Sequence, residues 1–227
     1  MSDKENNVKD KFREALSSTY RAISGDYTFD KKSTNKNLSS KNTNFFEIDN
    51  LSNKNDFIKL RAETDSAALK KKFSNKEIFD KNLPNNTSCK SLYSIAEKIR
   101  YELLGGKMLN GIKKNISEDY LQKIDLKHKD QLKTKKDVSV AEAFELYMLK
   151  KFFNIKLNPL TSKMLNFWEK DFDTSINKHI DFLNKNLSNQ NDYSSKFHEI
   201  FQEMDFFNSE NDENEVEDKD KENEQQN

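Results

Sequence analysis

Acidic and basic side chains at helical spacing are the residues of this 227-residue chain best placed to do chemistry. Glu97 and Arg100 stand three positions apart, and Arg61 and Asp65 stand four apart, so each pair shares one face of a predicted helix. Such pairs are either solvated ion pairs, worth about 0.2–0.5 kcal/mol each, or contacts between packed helices. Two of the four arginines in the chain lie in these pairs. We therefore favour a structural network across a helix interface, which would include Glu102, over a plain solvated surface and over catalysis.

Metal-binding and nucleophilic patterns are weak. The histidines are His128, His179 and His198, and none lies three or four positions from another. Cys89 has no histidine or second cysteine near it in sequence, so the close ligand pairs typical of zinc sites are missing. The phosphate-binding pattern G-x-x-x-x-G-K-[ST] is also missing. We predict no catalytic, cofactor-binding or metal-binding residue on this chain.

Charge is balanced overall but unevenly distributed. Residues 208–227 carry nine acids and two lysines, a net charge of −7, which leaves +7 on residues 1–207. A basic body can indicate nucleic-acid binding. Nearly all of its positive charge is lysine, however, whereas arginine is the residue that specific phosphate and base contacts favour. Composition thus argues against a nucleic-acid partner and predicts that the acidic tail is disordered.

Features of secreted and membrane proteins are missing from the sequence. Cys89 is the single cysteine, which excludes an intrachain disulfide and fits a reducing compartment. The first residues, MSDKENNVKDK, contain no apolar segment of the secretory type. No uncharged apolar run approaches membrane-spanning length. We predict a cytoplasmic protein without a membrane partner.

Apolar side chains that recur every 3.6 residues predict an all-α fold, an irregular multi-helix bundle. A disordered acidic C-terminal tail is predicted to follow it. Residues 1–207 form the predicted helical domain, with a poorly ordered loop at 26–56, and residues 208–227 form the tail. The main helices are predicted at 8–24, 57–73, 88–104, 139–153, 159–168, 174–187 and 193–207. A short helix is predicted after Asn75, and another is predicted after 106.

Helix ends are predicted from capping residues and glycines. Thr87 or Ser88 is expected to cap the helix at 88–104, and Gly105 with Gly106 to end it. Ser117 is expected to cap a further helix. Ser139 has Glu142 three positions later, a capping box, and Pro159 suits the first turn of a helix. Met108, Phe144 and Trp168 are expected in the core.

The order of certain residues resembles a known family. The series comprises Arg61, Asp65, Ala68 and Leu69 on one helix, Glu97, Arg100, Glu102 and Gly105 on the next, and then Met108 and Asn115. In this order and spacing the chain is similar to the amino-terminal region of CobT, a subunit of aerobic cobaltochelatase. Phe12-Arg13 and the segment Lys163 to Trp168 extend the resemblance to roughly residues 8–218. The von Willebrand A-type domain that follows in the family is not matched.

The resemblance implies a role in cobalamin biosynthesis. In the family, CobT assembles with a ring-forming AAA+ ATPase of the CobS type and with a large chelatase subunit of the CobN type. The complex, a ligase forming nitrogen–metal bonds, inserts Co²⁺ into hydrogenobyrinic acid a,c-diamide with ATP hydrolysis. ATP, Mg²⁺ and Co²⁺ would then be held by the partners, and this chain would be a non-catalytic docking subunit with an acidic linker.

The interaction residues that the resemblance suggests lie mainly on the helices at 57–73 and 88–104. They are Arg61, Asp65, Glu97, Arg100, Glu102, Met108 and Trp168. Two other functions stay open. One is an adaptor for a MoxR-type AAA+ chaperone with no link to cobalt, and the other is a lysine-rich helical nucleic-acid binder.

Overall fold

Helices make up the regular structure throughout the described part of the protein. The computed structural model describes residues 3–28, 54–127 and 132–204. The α-helices in these ranges are α1 Asp3–Ser24, α2 Lys54–Phe73, α3 Lys76–Lys81, α4 Thr87–Met108, α5 Asn110–Asp125, α6 Val140–Phe152, α7 Pro159–Asn166, α8 Glu169–Ile176, α9 Ile180–Lys185 and α10 Gln190–Gln202. Short 3-10 helices span Lys135–Asp137 and Asn177–His179.

The predicted all-α fold is therefore confirmed for the described residues. The predicted acidic tail at 208–227 lies outside them, as do residues 29–53 of the predicted loop. Residues 54–56 of that loop belong instead to the first turn of α2. None of the described helices has both the length and the apolar composition needed to cross a membrane.

Helix α4 is the central element of the bundle. It packs against α2, α5, α6 and α10, and α1 packs against α2. Helices α7 and α8 pack on α6, and α3 packs on α10. The apolar stripe predicted on α4 explains this position, because Leu92, Ala96 and Ile99 are fully buried.

A group of aromatic side chains fills the space between α6, α8 and α10. We call it the aromatic cluster, and its members are Phe144, Tyr147, Phe172, Phe197 and Phe201. Phe144 is completely buried, as predicted, and its ring centroid lies 5.6 Å from that of Phe172 and 5.8 Å from that of Phe201. These separations are those of edge-to-face aromatic pairs.

Two predicted helix caps are confirmed, and one is corrected. The Ser139 side chain accepts a hydrogen bond from the backbone N–H of Glu142, and Pro159 occupies the first turn of α7. The cap of α4 is neither Thr87 nor Ser88. It is Asn86, whose side chain accepts from the N–H groups of residues 88 and 89, because its backbone takes the extended conformation of a cap position.

The prediction that Gly105 and Gly106 end α4 is wrong. The helix continues through both glycines to Met108, and Leu109 is the first residue with an extended backbone. Gly105 is needed for packing, because a Cβ atom there would lie 2.9 Å from Leu69 Cγ on α2 and closer still to both Leu69 methyl groups. The predicted cap at Ser117 is also wrong, since this residue lies inside α5.

The segment predicted as one helix at 174–187 is divided. It contains the end of α8, the 3-10 turn Asn177–His179 and then α9. Of the apolar positions predicted there, Ile176 and Leu183 are fully buried and Ile180 is partly buried against the core, so the apolar face is confirmed even though the helix bounds are not. A pattern of buried positions survives a short 3-10 turn, because that turn changes the helical period only slightly.

Candidate functional site

Arg100 is the most deeply buried charged side chain of the described structure, with an exposed fraction of 1%. Its Nε and one terminal nitrogen each donate to the Glu97 carboxylate at 2.8 Å, in a forked arrangement. The guanidinium also donates to the backbone carbonyl of Phe73 at 2.6 Å and to that of Leu187 at 2.9 Å. One side chain of α4 thus holds both the end of α2 and the segment that precedes α10.

Glu97 extends these contacts to two further side chains. Its carboxylate accepts from Ser74 Oγ at 2.7 Å and from Gln190 Nε2 at 2.9 Å. Gln190 in turn accepts from the backbone N–H of Asn75 at 2.7 Å. We call Arg100, Glu97, Ser74 and Gln190 the Arg100 network. It fixes α4, the α2–α3 connection and the start of α10 relative to one another.

A second polar group lies where α2, α4 and α5 meet. Glu102 on α4 accepts from Ser66 Oγ on α2 at 2.5 Å and from the Tyr120 hydroxyl on α5 at 2.6 Å. Asp65 on α2 accepts from Asn115 Nδ2 on α5 at 2.8 Å. These five residues form what we call the polar junction.

Burial determines the protonation behaviour of the polar junction. The two acidic residues of the junction, Glu102 and Asp65, each have an exposed fraction of 2%. Loss of hydration raises the pKa of Glu102, although Lys98 and the two hydroxyl donors act in the opposite direction. Burial likewise raises the pKa of Asp65, against the lowering effect of Asn115 and of the Arg61 charge. Burial and the nearby Glu102 charge raise the pKa of the Tyr120 hydroxyl, so that it remains a donor.

An open cleft lies directly beside the Arg100 network. Its volume is about 590 Å³, and its walls come from the α2–α3 connection and from the α9–α10 connection. Lys72, Asn75 and Ile78 line one side, and Asn189 and Asn191 line the other. Because Gln190 joins both walls to Glu97, the cleft has a fixed width at its base.

Comparison with protein families decides the assignment. A family model described as CobT, cobalamin biosynthesis protein CobT, matches residues 6–227. This chain belongs to the CobT family. Its family role is therefore in cobalamin biosynthesis. Comparisons with curated proteins and with solved structures gave no match.

The CobT-family residues on α4 face inward in this chain. Glu97, Arg100 and Glu102 are all buried and all bonded to other helices. Arg61 and Asp65 differ, because Asp65 is buried and bonded to α5 while Arg61 is exposed. The Arg61 guanidinium lies over the Phe12 ring, 5.8 Å from its centroid, and influences Asp65 through its charge rather than through a short ion pair.

Met108 and Trp168 occupy more exposed positions than the sequence suggested. The expectation that Met108 is a core residue is wrong, since 39% of it is exposed at the last position of α4. Trp168 is partly buried against the core, and its Nε1 donates to the Val138 carbonyl at 3.2 Å. Lys135 Nζ lies 4.0 Å from its ring centroid, a cation–π contact.

Ser74 and Gln190 are the members of the Arg100 network that sequence reasoning missed. A glutamine in the first turn of an amphipathic helix carries no signal that it will be buried. Its contact with Glu97 spans 93 sequence positions, and no local spacing rule reaches that far. Among the described residues, no three potential metal ligands cluster, and His128 lies outside that part of the chain.

Proposed function

We propose that this CobT-family chain is a non-catalytic assembly subunit of an ATP-dependent cobaltochelatase. In this proposal it docks to a CobS-type AAA+ ATPase, which holds ATP and Mg²⁺. A CobN-type large subunit inserts Co²⁺ into hydrogenobyrinic acid a,c-diamide. The observation that carries the proposal is the CobT family match over residues 6–227. The Arg100 network supports the non-catalytic role, because its charged side chains are occupied in joining helices.

Placement of the family residues on α4 argues for a docking surface away from that helix. Helix α4 contacts α2, α5, α6 and α10, and its polar family residues are buried. Replacing Arg100 would therefore disturb folding before it tested docking. The surface must instead be sought where exposed side chains are held in fixed positions.

The cleft beside the Arg100 network meets that requirement. Lys72, Asn75, Asn189 and Asn191 are exposed along its walls, and Ile78 supplies a partly buried apolar contact. Hydrogen-bonding side chains around an apolar contact are typical of protein–protein interfaces. The network beneath keeps these groups in position before a partner arrives, which lowers the entropic cost of binding.

Co-purification of the full chain with the AAA+ subunit tests this docking surface. Lys72→Glu combined with Asn191→Arg changes the charge and bulk of the cleft at two exposed positions. We expect this variant to keep its helical circular dichroism and to lose retention of the partner. Lys163→Glu, at an exposed position of α7, is the matched charge-reversal control and should retain it. Retention by the cleft variant would contradict the choice of this surface.

Reconstitution of the three subunits tests the function itself. Omitting this chain should abolish Co²⁺ insertion by the AAA+ and large subunits, and adding it back should restore insertion. Nucleotide turnover by the chain alone would contradict a non-catalytic role. Unchanged Co²⁺ insertion without the chain, together with binding to a MoxR-type ATPase, would favour the chaperone-adaptor alternative.

A further inference from the structure

Four carboxylates of the described structure are buried, and they fall into two kinds. Asp65, Glu97, Glu102 and Asp119 each have an exposed fraction of 5% or less. Glu97 is paired with Arg100 at 2.8 Å, and Asp119 is paired with Lys123 at 2.6 Å. The other two accept hydrogen bonds from uncharged groups, Glu102 from Ser66 and Tyr120, and Asp65 from Asn115.

The cations nearest Glu102 are already paired with other acids. Lys98, one turn earlier on α4, lies 5.0 Å from the Tyr120 ring centroid and 3.9 Å from Glu145 on α6. Lys123 on α5 lies 5.7 Å from the same ring centroid and makes its short contact with Asp119. Neither lysine forms an ion pair with the Glu102 carboxylate, although the charges of both act to lower its pKa.

Other ionisable groups around the polar junction do not supply a missing cation. Tyr101, the neighbour of Glu102 on α4, is buried, and burial raises the pKa of its hydroxyl, so it stays neutral. On α2, Glu63 is a further acid and acts on Lys123. Arg61 is the cation closest in sequence to Asp65, and it is exposed above Phe12.

We propose that the polar junction is a proton-binding joint, in which protonation of Glu102 and Asp65 tightens the contacts among α2, α4 and α5, and ionisation loosens them. Glu102 on α4 bonds to both α2 and α5, and Asp65 on α2 bonds to α5, so the free-energy cost of each buried charge weakens a contact between helices. A buried charge supported by neutral donors alone is less stable than one supported by a cation.

The direction of the effect follows from linkage. Burial raises the pKa of both carboxyls above the values that they have in an unfolded or opened segment. Their contribution to the closed junction is therefore complete below the opened-state pKa and is lost as the pH rises through the closed-state pKa. Each unit of difference between the two pKa values corresponds to about a tenfold change in the opening equilibrium.

The effect must be measured locally, because other acids oppose it in the whole molecule. The pKa of Asp173 is lowered: burial raises it, but contacts with Lys151 and Tyr147 outweigh this, so Asp173 stabilises the α6–α8 contact at higher pH. The Lys196 contact lowers the pKa of Glu199 on α10 in the same way. A global unfolding curve would combine these opposite contributions.

Hydrogen exchange of the full chain, measured by mass spectrometry from pH 5 to pH 8, tests the joint. After correction for intrinsic exchange rates, we expect amide protection in α2 and α5 to fall as the pH rises. Protection in α10 should not follow that trend. Glu102→Gln and Asp65→Asn, each nearly isosteric, should flatten the pH dependence in α2 and α5.

Glu118→Gln on α5 is the matched control, since Glu118 is a partly exposed acid of the same helix. It should leave the pH dependence of the wild-type chain unchanged. Protection in α2 and α5 of the wild-type chain that is constant between pH 5 and pH 8 would overturn the proposal, whether or not either variant folds. A wild-type slope that persists in both Glu102→Gln and Asp65→Asn would also overturn it.

Discussion

The Arg100 network and the aromatic cluster connect different sets of helices, with α10 in both, and hold them by different means. In the network, Arg100 makes four hydrogen bonds, to Glu97 and to the backbone of two distant segments. In the cluster, Phe144 touches three other rings at centroid separations of 5.6, 6.4 and 5.8 Å and makes no polar contact with them. Both central side chains are almost completely buried.

The difference concerns how much each region depends on geometry. Apolar burial is non-directional, so cores accept many side chains of similar volume. A buried charge is compensated only while its donors and acceptors keep their distances and angles. We infer that the cluster supplies burial energy to the bundle, while the network fixes how α2, α4 and α10 are arranged.

Removing Arg100 should break the network with the largest effect. Arg100→Ala leaves the Glu97 carboxylate buried without a cation and two backbone carbonyls without a donor. We expect a loss of about 3–5 kcal/mol in the free energy of unfolding, measured by urea denaturation followed by circular dichroism. Since the free energy of unfolding of a native protein is only about 5–15 kcal/mol in total, part of this variant should be unfolded without denaturant.

Arg100→Lys and Arg13→Ala sharpen the same test. The lysine keeps the positive charge but cannot make the forked contact to Glu97 and reach both carbonyls, so we expect a loss that is intermediate but clear. Arg13 pairs with Asp10 at 2.8 Å on the exposed face of α1, and its loss should change stability by less than about 1 kcal/mol. Equal stabilities of Arg100→Lys and wild type would contradict the geometric role.

Gly105 tests the contact of α2 with α4 at a site without charge. Gly105→Ala places a methyl group against the buried Leu69 side chain. Overpacking costs about 1–3 kcal/mol, and the better helix propensity of alanine returns up to about 1 kcal/mol. We expect a net loss of about 1–2 kcal/mol in urea denaturation.

The matched glycine is Gly111 in the first turns of α5. A Cβ atom there meets no atom within 4 Å, so Gly111→Ala should be neutral or stabilising by up to about 1 kcal/mol. If both alanine variants were equally stable, the close approach of α2 and α4 at Gly105 would not limit the packing of the bundle.

Gly105 also shows where sequence reasoning succeeds and where it fails. Local patterns predicted α6 to within a residue at each end, because a serine cap and an apolar period are both short-range signals. The same local reasoning took Gly105 for a helix end. Glycine is needed there because Leu69, 36 positions earlier, packs against it, and no local rule includes that residue.

In the candidate site, too, local spacing predicted some residues, whereas those brought in by tertiary packing were not predicted. The three-residue spacing of Glu97 and Arg100 correctly placed both on one face of α4, and the scarcity of arginine suggested an interface. The partner side chains Gln190 and Tyr120 could not be found, because each comes from a helix whose position depends on tertiary packing. Met108 was misplaced for a related reason, since its exposure reflects the end of α4 rather than its own hydrophobicity.

A conservative change in the aromatic cluster should have a smaller effect than any change in the Arg100 network. Phe144→Leu keeps an apolar side chain of similar size and loses only the ring–ring contacts, so we expect a cost of about 1 kcal/mol in urea denaturation. Phe144→Ala removes most of the side-chain volume and should lower the free energy of unfolding by about 3–5 kcal/mol, as expected for a fully buried site. Truncation would then be equally damaging at Phe144 and Arg100, while conservative replacement would be tolerated only at Phe144. If Phe144→Leu destabilised the chain more than Arg100→Lys, the cluster rather than the network would be the region that demands exact geometry.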